Sequence, residues 1–179
     1  RGLSAGMPRQ GWLTNLKVSV GDLYPGREIT GHLDVFDVLT GTVVDEKVPG
    51  STAMRKYAPG KPESEQYAKQ VQLYGRGCQR AGYRPAWVAV LRLSPARELS
   101  QYVFKFERYD EQVAVDALTR AGGIARMVDQ LGARAAAVLP ATDHVCHRCP
   151  WFRPNSPELT TGCPGAPGAA QITGRASVD

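Results

Sequence analysis

The stretch GHLDVFDVLTGTVVDEK, residues 31–47, decides the fold of this chain. Apolar and polar residues alternate on both sides of a short turn-like sequence, which is typical of two neighbouring strands. We expect one strand over residues 27–38, a second over 42–48, and a two-residue turn at Thr40-Gly41 between them. The stretch therefore predicts a β-hairpin.

The register of this hairpin determines which polar side chains meet. With a turn at Thr40-Gly41, Asp34 is predicted to lie opposite Lys47, and Phe36 opposite Asp45. Residues two apart on a strand point to the same face, so Asp45 and Lys47 share one side of the sheet. Paired residues share a face as well, whereas a one-residue slip would separate Asp34 from the other two. We therefore expect Asp34, Asp45 and Lys47 to cluster on one face.

Two carboxylates and a lysine together are groups that can hydrolyse a phosphodiester. Closely spaced carboxylates raise each other's proton affinity unless a cation lies between them. A hard divalent ion such as Mg²⁺ takes oxygen ligands and lowers the pKa of a bound water, and a lysine can hold that water. The alternative is that Asp45 and Lys47 form an ordinary surface ion pair. The apolar Val43-Val44 before them favours a position near the core.

Working outward from the hairpin, the sequence predicts further strands and two helices. One helix is expected over residues 62–81, with Glu63 and Glu65 at the positive end of its dipole and Gly77 weakening its last turns. The other predicted elements are strands over 12–20, 86–93 and 101–109 and a helix over 110–137. This order indicates an α/β fold, a small mixed β-sheet flanked by helices.

Three ordered motifs give the chain a resemblance to a known family. Gln70 and Tyr74 are four residues apart and lie on one helix face, although packing by the tyrosine and solvation of the glutamine is the simpler interpretation. The chain resembles the PD-(D/E)XK nuclease superfamily, in its RecB-like branch, through Gly31-x-x-Asp34, Asp45-x-Lys47 and Gln70-x-x-x-Tyr74. The resemblance covers residues 27–95 and implies a restriction-endonuclease-like core.

The resemblance also implies an activity, a Mg²⁺- or Mn²⁺-dependent DNA nuclease, with exonuclease action favoured over endonuclease action. Asp34 and Asp45 are then metal ligands, together with Glu46 through its backbone carbonyl. Lys47 positions or activates the water. The rival hypothesis is a non-catalytic nucleic-acid-binding module stabilised by zinc.

The same resemblance implies roles for the two helix residues and a set of binding partners. Gln70 and Tyr74 are expected in the active site or in contact with DNA. The expected partners are DNA that is single-stranded or has free ends, and proteins of DNA repair, recombination or CRISPR adaptation.

A second centre is indicated near the end of the chain by three clustered cysteines, Cys146, Cys149 and Cys163. Two thiolates spaced as in Cys146-x-x-Cys149 can reach one metal, and Cys163 supplies a third ligand. The fourth cysteine, Cys78, lies on the predicted helix and is interpreted as a small buried residue.

Two centres remain open for these thiolates. Zinc could add His144 or His147 as its fourth ligand. A [4Fe–4S] cluster is ligated by four thiolates. The chain is similar to the CRISPR-associated iron–sulfur exonucleases and the AddB-type helicase–nucleases, which have one cysteine before the nuclease core and three after it. Because the sequence starts abruptly at Arg1, we expect the missing cysteine upstream of it.

Composition sets the remaining bounds. The chain has 179 residues and a formal net charge of +5, which agrees with an anionic partner without identifying one. We expect a nuclease core over 1–137, a cysteine-rich segment over 138–164 and a flexible tail over 165–179. No apolar run suits a membrane span and no signal peptide opens the sequence, so we expect a cytoplasmic protein with reduced thiols.

Overall fold

The fold was obtained as a computed structural model, which describes residues 11–50, 54, 57, 63–94, 102–138, 149–158 and 161–165. The chain divides into two compact units, Arg1–Gly122 and Gly123–Asp179. The first unit holds a five-stranded sheet with the strands in sequential order, β1-β2-β3-β4-β5. The strands are β1 Trp12–Asp22, β2 Glu28–Asp37, β3 Thr42–Lys47, β4 Trp87–Arg92 and β5 Val103–Arg108. The predicted α/β class with a mixed sheet is confirmed.

Strands β3 and β4 are parallel, and the other neighbouring strands are antiparallel. A parallel pair needs a crossover, which helix α1, Glu65–Arg80, provides. Its buried residues Val71, Gly75 and Cys78 recur at helical spacing and pack on the core of the sheet. The site described below therefore lies where β3 ends and the crossover begins.

Helix α1 begins later than predicted and ends where predicted. Ser64 is its N-cap, and the hydroxyl of Ser64 accepts a hydrogen bond from the backbone N–H of Tyr67 at 3.4 Å. Glu63 therefore precedes the helix, and the prediction that it lies in the first turn is wrong. Gly77 does not shorten the helix. Its missing side chain leaves room for Val18 of β1, so the helix packs closely on the sheet at this position.

The remaining helices follow β5. Helix α2 spans Glu111–Leu131, and the carboxylate of Asp110 accepts a hydrogen bond from the N–H of Gln112 at 2.9 Å, as expected of a cap. A 3₁₀ turn, Gly132–Arg134, and helix α3, Ala135–Val138, complete the part predicted as one helix over 110–137. Within the described residues, no helix is both long and apolar enough to cross a membrane.

The hairpin between β2 and β3 forms, but its predicted register is wrong by two residues. The observed pairs are Val35 with Val44, Phe36 with Val43 and Asp37 with Thr42, so Asp34 is not opposite Lys47. The turn is longer than two residues because Asp37 folds it: the carboxylate of Asp37 accepts hydrogen bonds from the N–H of Leu39 and the hydroxyl of Thr40. A shift of two residues leaves each side chain of β3 on its predicted face, whereas a shift of one would not.

The close approach of α1 to the sheet gives a stability prediction. A Cβ at position 77 would lie 2.5 Å from Val18 Cγ2, so we expect Gly77→Ala to lower the free energy of unfolding by about 1–3 kcal/mol through overpacking. Gly123, in α2, has open space around the same position, so Gly123→Ala should raise it by up to about 1 kcal/mol through helix propensity. Urea denaturation of both variants measures the two changes. Equal effects would contradict the packing of Gly77 on Val18.

Candidate active site

Asp45 is a buried carboxylate at the carboxyl end of a central strand. Its side chain is 3% exposed, because β2 and β4 flank it and α1 covers this part of the sheet. Burial raises the pKa of Asp45 above its ordinary value, and the carboxylate of Asp34 acts in the same direction. Lys47 and Arg92 oppose this rise with their positive charges. The site thus balances a desolvated anion against two cations.

Lys47 lies two residues further along β3 and on the same face, as predicted. Its Nζ is 2.6 Å from Oδ2 of Asp45, and its side chain is 24% exposed. The ammonium of Lys47 is therefore the partner of the buried Oδ2 of Asp45. The Lys47 ammonium also lies 5.2 Å from the centroid of the Tyr67 ring, a cation–π distance.

Asp34 reaches the same place by a different route from the one predicted. The β2–β3 ladder stops at Val35, and beyond it Oδ2 of Asp34 accepts a hydrogen bond from the backbone N–H of Glu46 at 2.6 Å. Leu33 and Phe36 are both fully buried although three residues apart, so β2 does not alternate regularly through Asp34. Asp34 itself is exposed. The structure therefore brings together one exposed and one buried carboxylate.

Sequence reasoning missed a buried ion pair beside these residues. Arg92 ends β4 as the register partner of Lys47, is 0% exposed, and donates hydrogen bonds from both terminal nitrogens to the Glu63 carboxylate. Burial alone would raise the pKa of Glu63, but the hydrogen bonds from Arg92 and from the Ser64 N–H hold it below its ordinary value. The available signal was an arginine inside AWVAVLRL, a run that otherwise predicts a fully buried strand.

Gln70 and Tyr74 meet on a half-buried side of α1 that faces β2. The Gln70 amide donates a hydrogen bond to the Tyr74 hydroxyl at 3.1 Å, and the Tyr74 ring lies so close to Gly31 that a Cβ there would be 2.7 Å from it. Both residues line a cavity of about 520 Å³ between α1 and β2. The glycine of the first motif thus makes room for the tyrosine of the third.

The acidic residues can be tested for their fit to a divalent ion. The described residues contain no group of three or more His, Cys, Asp or Glu side chains placed to hold a metal. Mg²⁺, however, is commonly held by one or two carboxylates with water completing its shell. The buried Asp45 carboxylate and the nearby Asp34 carboxylate suit such an ion, and the Glu46 carbonyl is adjacent in sequence.

The cysteines are placed only in part. Cys78 is fully buried, which raises its pKa to about 12 and confirms that it is a core residue. Cys149 and Cys163 belong to the second unit. There the backbone N–H of Phe152 donates a hydrogen bond to the Cys149 carbonyl, and the backbones of Phe152 and Cys163 form an isolated parallel β-bridge. The predicted ligand Cys146 lies outside the described residues, as do His144 and His147.

Comparisons with known proteins give similarity of fold. No protein-family model matches the sequence, and neither does the sequence of any curated protein. Among solved structures, an alkaline exonuclease (LHK-Exo) from Laribacter hongkongensis is 16% identical with a TM-score of 0.47 over 72% of this chain. The protein SSO0001 is 15% identical with a TM-score of 0.48 over 78% of this chain. The chain covers 64% of the first structure and 57% of the second, less than two thirds of either.

The Glu63–Arg92 pair predicts a pH dependence of stability. Because the pKa of Glu63 is lowered by folding, its contribution is fully present above the unfolded value of 4.5 and is lost as the pH falls through the folded pKa. At neutral pH, Glu63→Gln leaves Arg92 buried without its charge partner, so we expect a loss of about 3 kcal/mol or more. The difference in free energy of unfolding between parent and variant should shrink below pH 4.5. A difference that is constant from pH 7 to pH 3 would contradict this.

Proposed function

We propose that this chain is a divalent-metal-dependent deoxyribonuclease, with exonuclease action favoured. The observation that carries the proposal is the meeting of Asp34, Asp45 and Lys47 at the end of β3, in the order and type that the sequence motifs predict. The buried carboxylate with a raised pKa next to a second carboxylate is an arrangement that a cation stabilises.

Each residue has a distinct task in this proposal. Asp34, Asp45 and the Glu46 carbonyl would hold Mg²⁺ or Mn²⁺. When bound, such an ion offsets charge on the scissile phosphate and lowers the pKa of a bound water. Lys47 is held beside Asp45 but is partly exposed, so its ammonium can donate a hydrogen bond to a water or to a phosphate oxygen.

The substrate is proposed to be DNA that is single-stranded or has free ends. Gln70 and Tyr74 line a cavity beside β2 and carry an amide and a hydroxyl that can bond to a strand of DNA. The net charge of +5 favours a polyanion and predicts binding that weakens with salt. Partners in DNA repair, recombination or CRISPR adaptation remain part of the proposal.

The central experiment removes the charges of β3. We expect Asp45→Asn and Lys47→Met each to abolish Mg²⁺- or Mn²⁺-dependent cleavage of end-labelled single- and double-stranded DNA while the thermal midpoint shows a folded protein. Losses of about 100-fold or more are expected of groups that act directly in the reaction. Asp116→Asn, an exposed carboxylate on α2, is the matched control and should cleave as the parent does.

The outcomes separate the proposal from its rival. Cleavage by both variants at the parent rate would end it. Salt-sensitive DNA binding by the parent, with no cleavage at any concentration of Mg²⁺ or Mn²⁺, would instead favour the non-catalytic nucleic-acid-binding module.

We further propose that Cys149 and Cys163, with Cys146, bind a metal centre, a [4Fe–4S] cluster or zinc. The supporting observation is a backbone hydrogen bond to sulfur: the N–H of Gly165 points to Sγ of Cys163 at 3.4 Å. Such bonds stabilise thiolates that ligate metals and tune iron–sulfur clusters. Cys149 is exposed and free, so its sulfur is accessible to a ligand.

Purification without oxygen tests this second centre. A brown protein with iron and sulfide in the metal analysis, lost in Cys149→Ser and Cys163→Ser, is expected for the cluster. A colourless protein with one zinc per chain would select zinc. A parent protein that contains no metal and is as stable as the Cys149→Ser and Cys163→Ser variants would refute both centres. Cys78→Ser serves as the control, because Cys78 is a core residue whose loss should leave the metal content unchanged.

A further inference from the structure

Arg92 is a fully buried cation for which neither the motifs nor the proposed chemistry gives a task. Its guanidinium is neutralised by two hydrogen bonds to Glu63. The Nε atom of Arg92 is also buried and has no hydrogen-bond partner among the described residues. A buried ion pair contributes little to stability compared with a well-packed apolar pair, so its presence here suggests another role.

Aromatic rings connect Arg92 to the site. The guanidinium carbon lies 3.8 Å from the centroid of the Tyr57 ring and 5.5 Å from that of Tyr67. The Tyr67 ring has a second cation near it, the Lys47 ammonium at 5.2 Å. One ring therefore attracts both cations through its negative faces.

The sheet brings these two cations close together. Lys47 and Arg92 are register partners on the parallel strands β3 and β4, and like charges at neighbouring positions repel. Glu63 neutralises Arg92, which weakens this repulsion. Tyr67 lies within cation–π range of both side chains.

We propose that Arg92 is a positioning residue, which through the Tyr67 ring fixes the Lys47 ammonium beside Asp45. This inference rests on the proposed function, in which the Lys47 ammonium donates a hydrogen bond to a water or to a phosphate oxygen. Arg92 is fully buried, and the proposal assigns it no contact with substrate or metal. It acts because a planar guanidinium, held by two bonds to Glu63, fixes the plane and place of the neighbouring ring.

A spectroscopic readout separates positioning from a purely structural role. In protein labelled with [¹³C]lysine, the ring current of Tyr67 should shift the Lys47 side-chain signal upfield of the other lysines, and Lys47→Met assigns it. Arg92→Met should move this signal toward the position of a free lysine. Glu63→Gln combined with Arg92→Met removes both charges and should move it equally, in a variant that carries no unpaired buried charge.

Changes at the ring give an independent arm. Tyr67→Leu leaves the Glu63–Arg92 pair in place but removes the ring current itself, so it marks the unshifted position of the Lys47 signal, whereas Tyr67→Phe keeps the ring and the shifted signal. Glu65→Gln breaks an exposed ion pair with Lys69 on the same helix and is the matched control, in which the Lys47 signal stays in place. Thermal midpoints show that each variant is folded.

The kinetic arm measures cleavage in Mn²⁺. In the Arg92 variants we expect kcat to fall by about 100-fold, the order expected for a misplacement of about 1 Å, with little change in KM for DNA. A folded double variant in which the Lys47 signal stays in place overturns the positioning role. Because the signal is read without metal or DNA, a parent with the shifted signal but no nuclease activity refutes the proposed function and leaves the positioning intact.

Discussion

Burial of the Asp45 carboxylate is the constraint on which this end of the sheet depends. A carboxylate that is 3% exposed is stable in its charged form only if cations compensate for the lost water. Lys47 supplies the nearest cation, from the same strand and face, and Arg92 supplies a second from the neighbouring parallel strand. The parallel pairing of β3 and β4 is therefore an electrostatic requirement of the site as well as a feature of topology.

The second cation, Arg92, itself needs a compensating anion, which the segment before α1 supplies. Arg92 is more deeply buried than Lys47 and cannot be hydrated, so it needs an anion of its own. Glu63 lies just before the N-cap of α1 and reaches Arg92 because the crossover helix must start above the ends of β3 and β4. The start of the helix and the charge balance of the site are thus fixed by the same contact.

Local patterns in the sequence were sufficient for the strands, for α1 and for the shared face of Asp45 and Lys47. These properties depend on residues two to four positions apart, where alternation and helical spacing act directly. The hairpin register could not be predicted in this way, because it is set by the side chain of Asp37 bonding within the turn. Asp34 still reached the site, because its carboxylate bonds to the Glu46 N–H beyond the end of the ladder.

The Glu63–Arg92 pair could not be predicted from local patterns either, but for a different reason. Its members are 29 residues apart and meet only after the crossover has formed, so no local pattern contains both. The indication that did exist was energetic: an arginine in a strand predicted to be buried on both faces requires a partner somewhere in the chain.

The two cations of the site differ in a way that suits the two tasks assigned to them. Arginine stays charged in a dry environment and forms two parallel bonds to a carboxylate, which fits a side chain that is never exposed and must hold its orientation. Lysine carries a compact charge on a flexible stem and remains partly in water, which fits a group that must meet water or phosphate. Exchanging the two residue types would leave the charge balance unchanged but would place a flexible ammonium where a fixed plane is needed. The positions of Lys47 and Arg92 are therefore not equivalent, although they are neighbours on the sheet and carry the same charge.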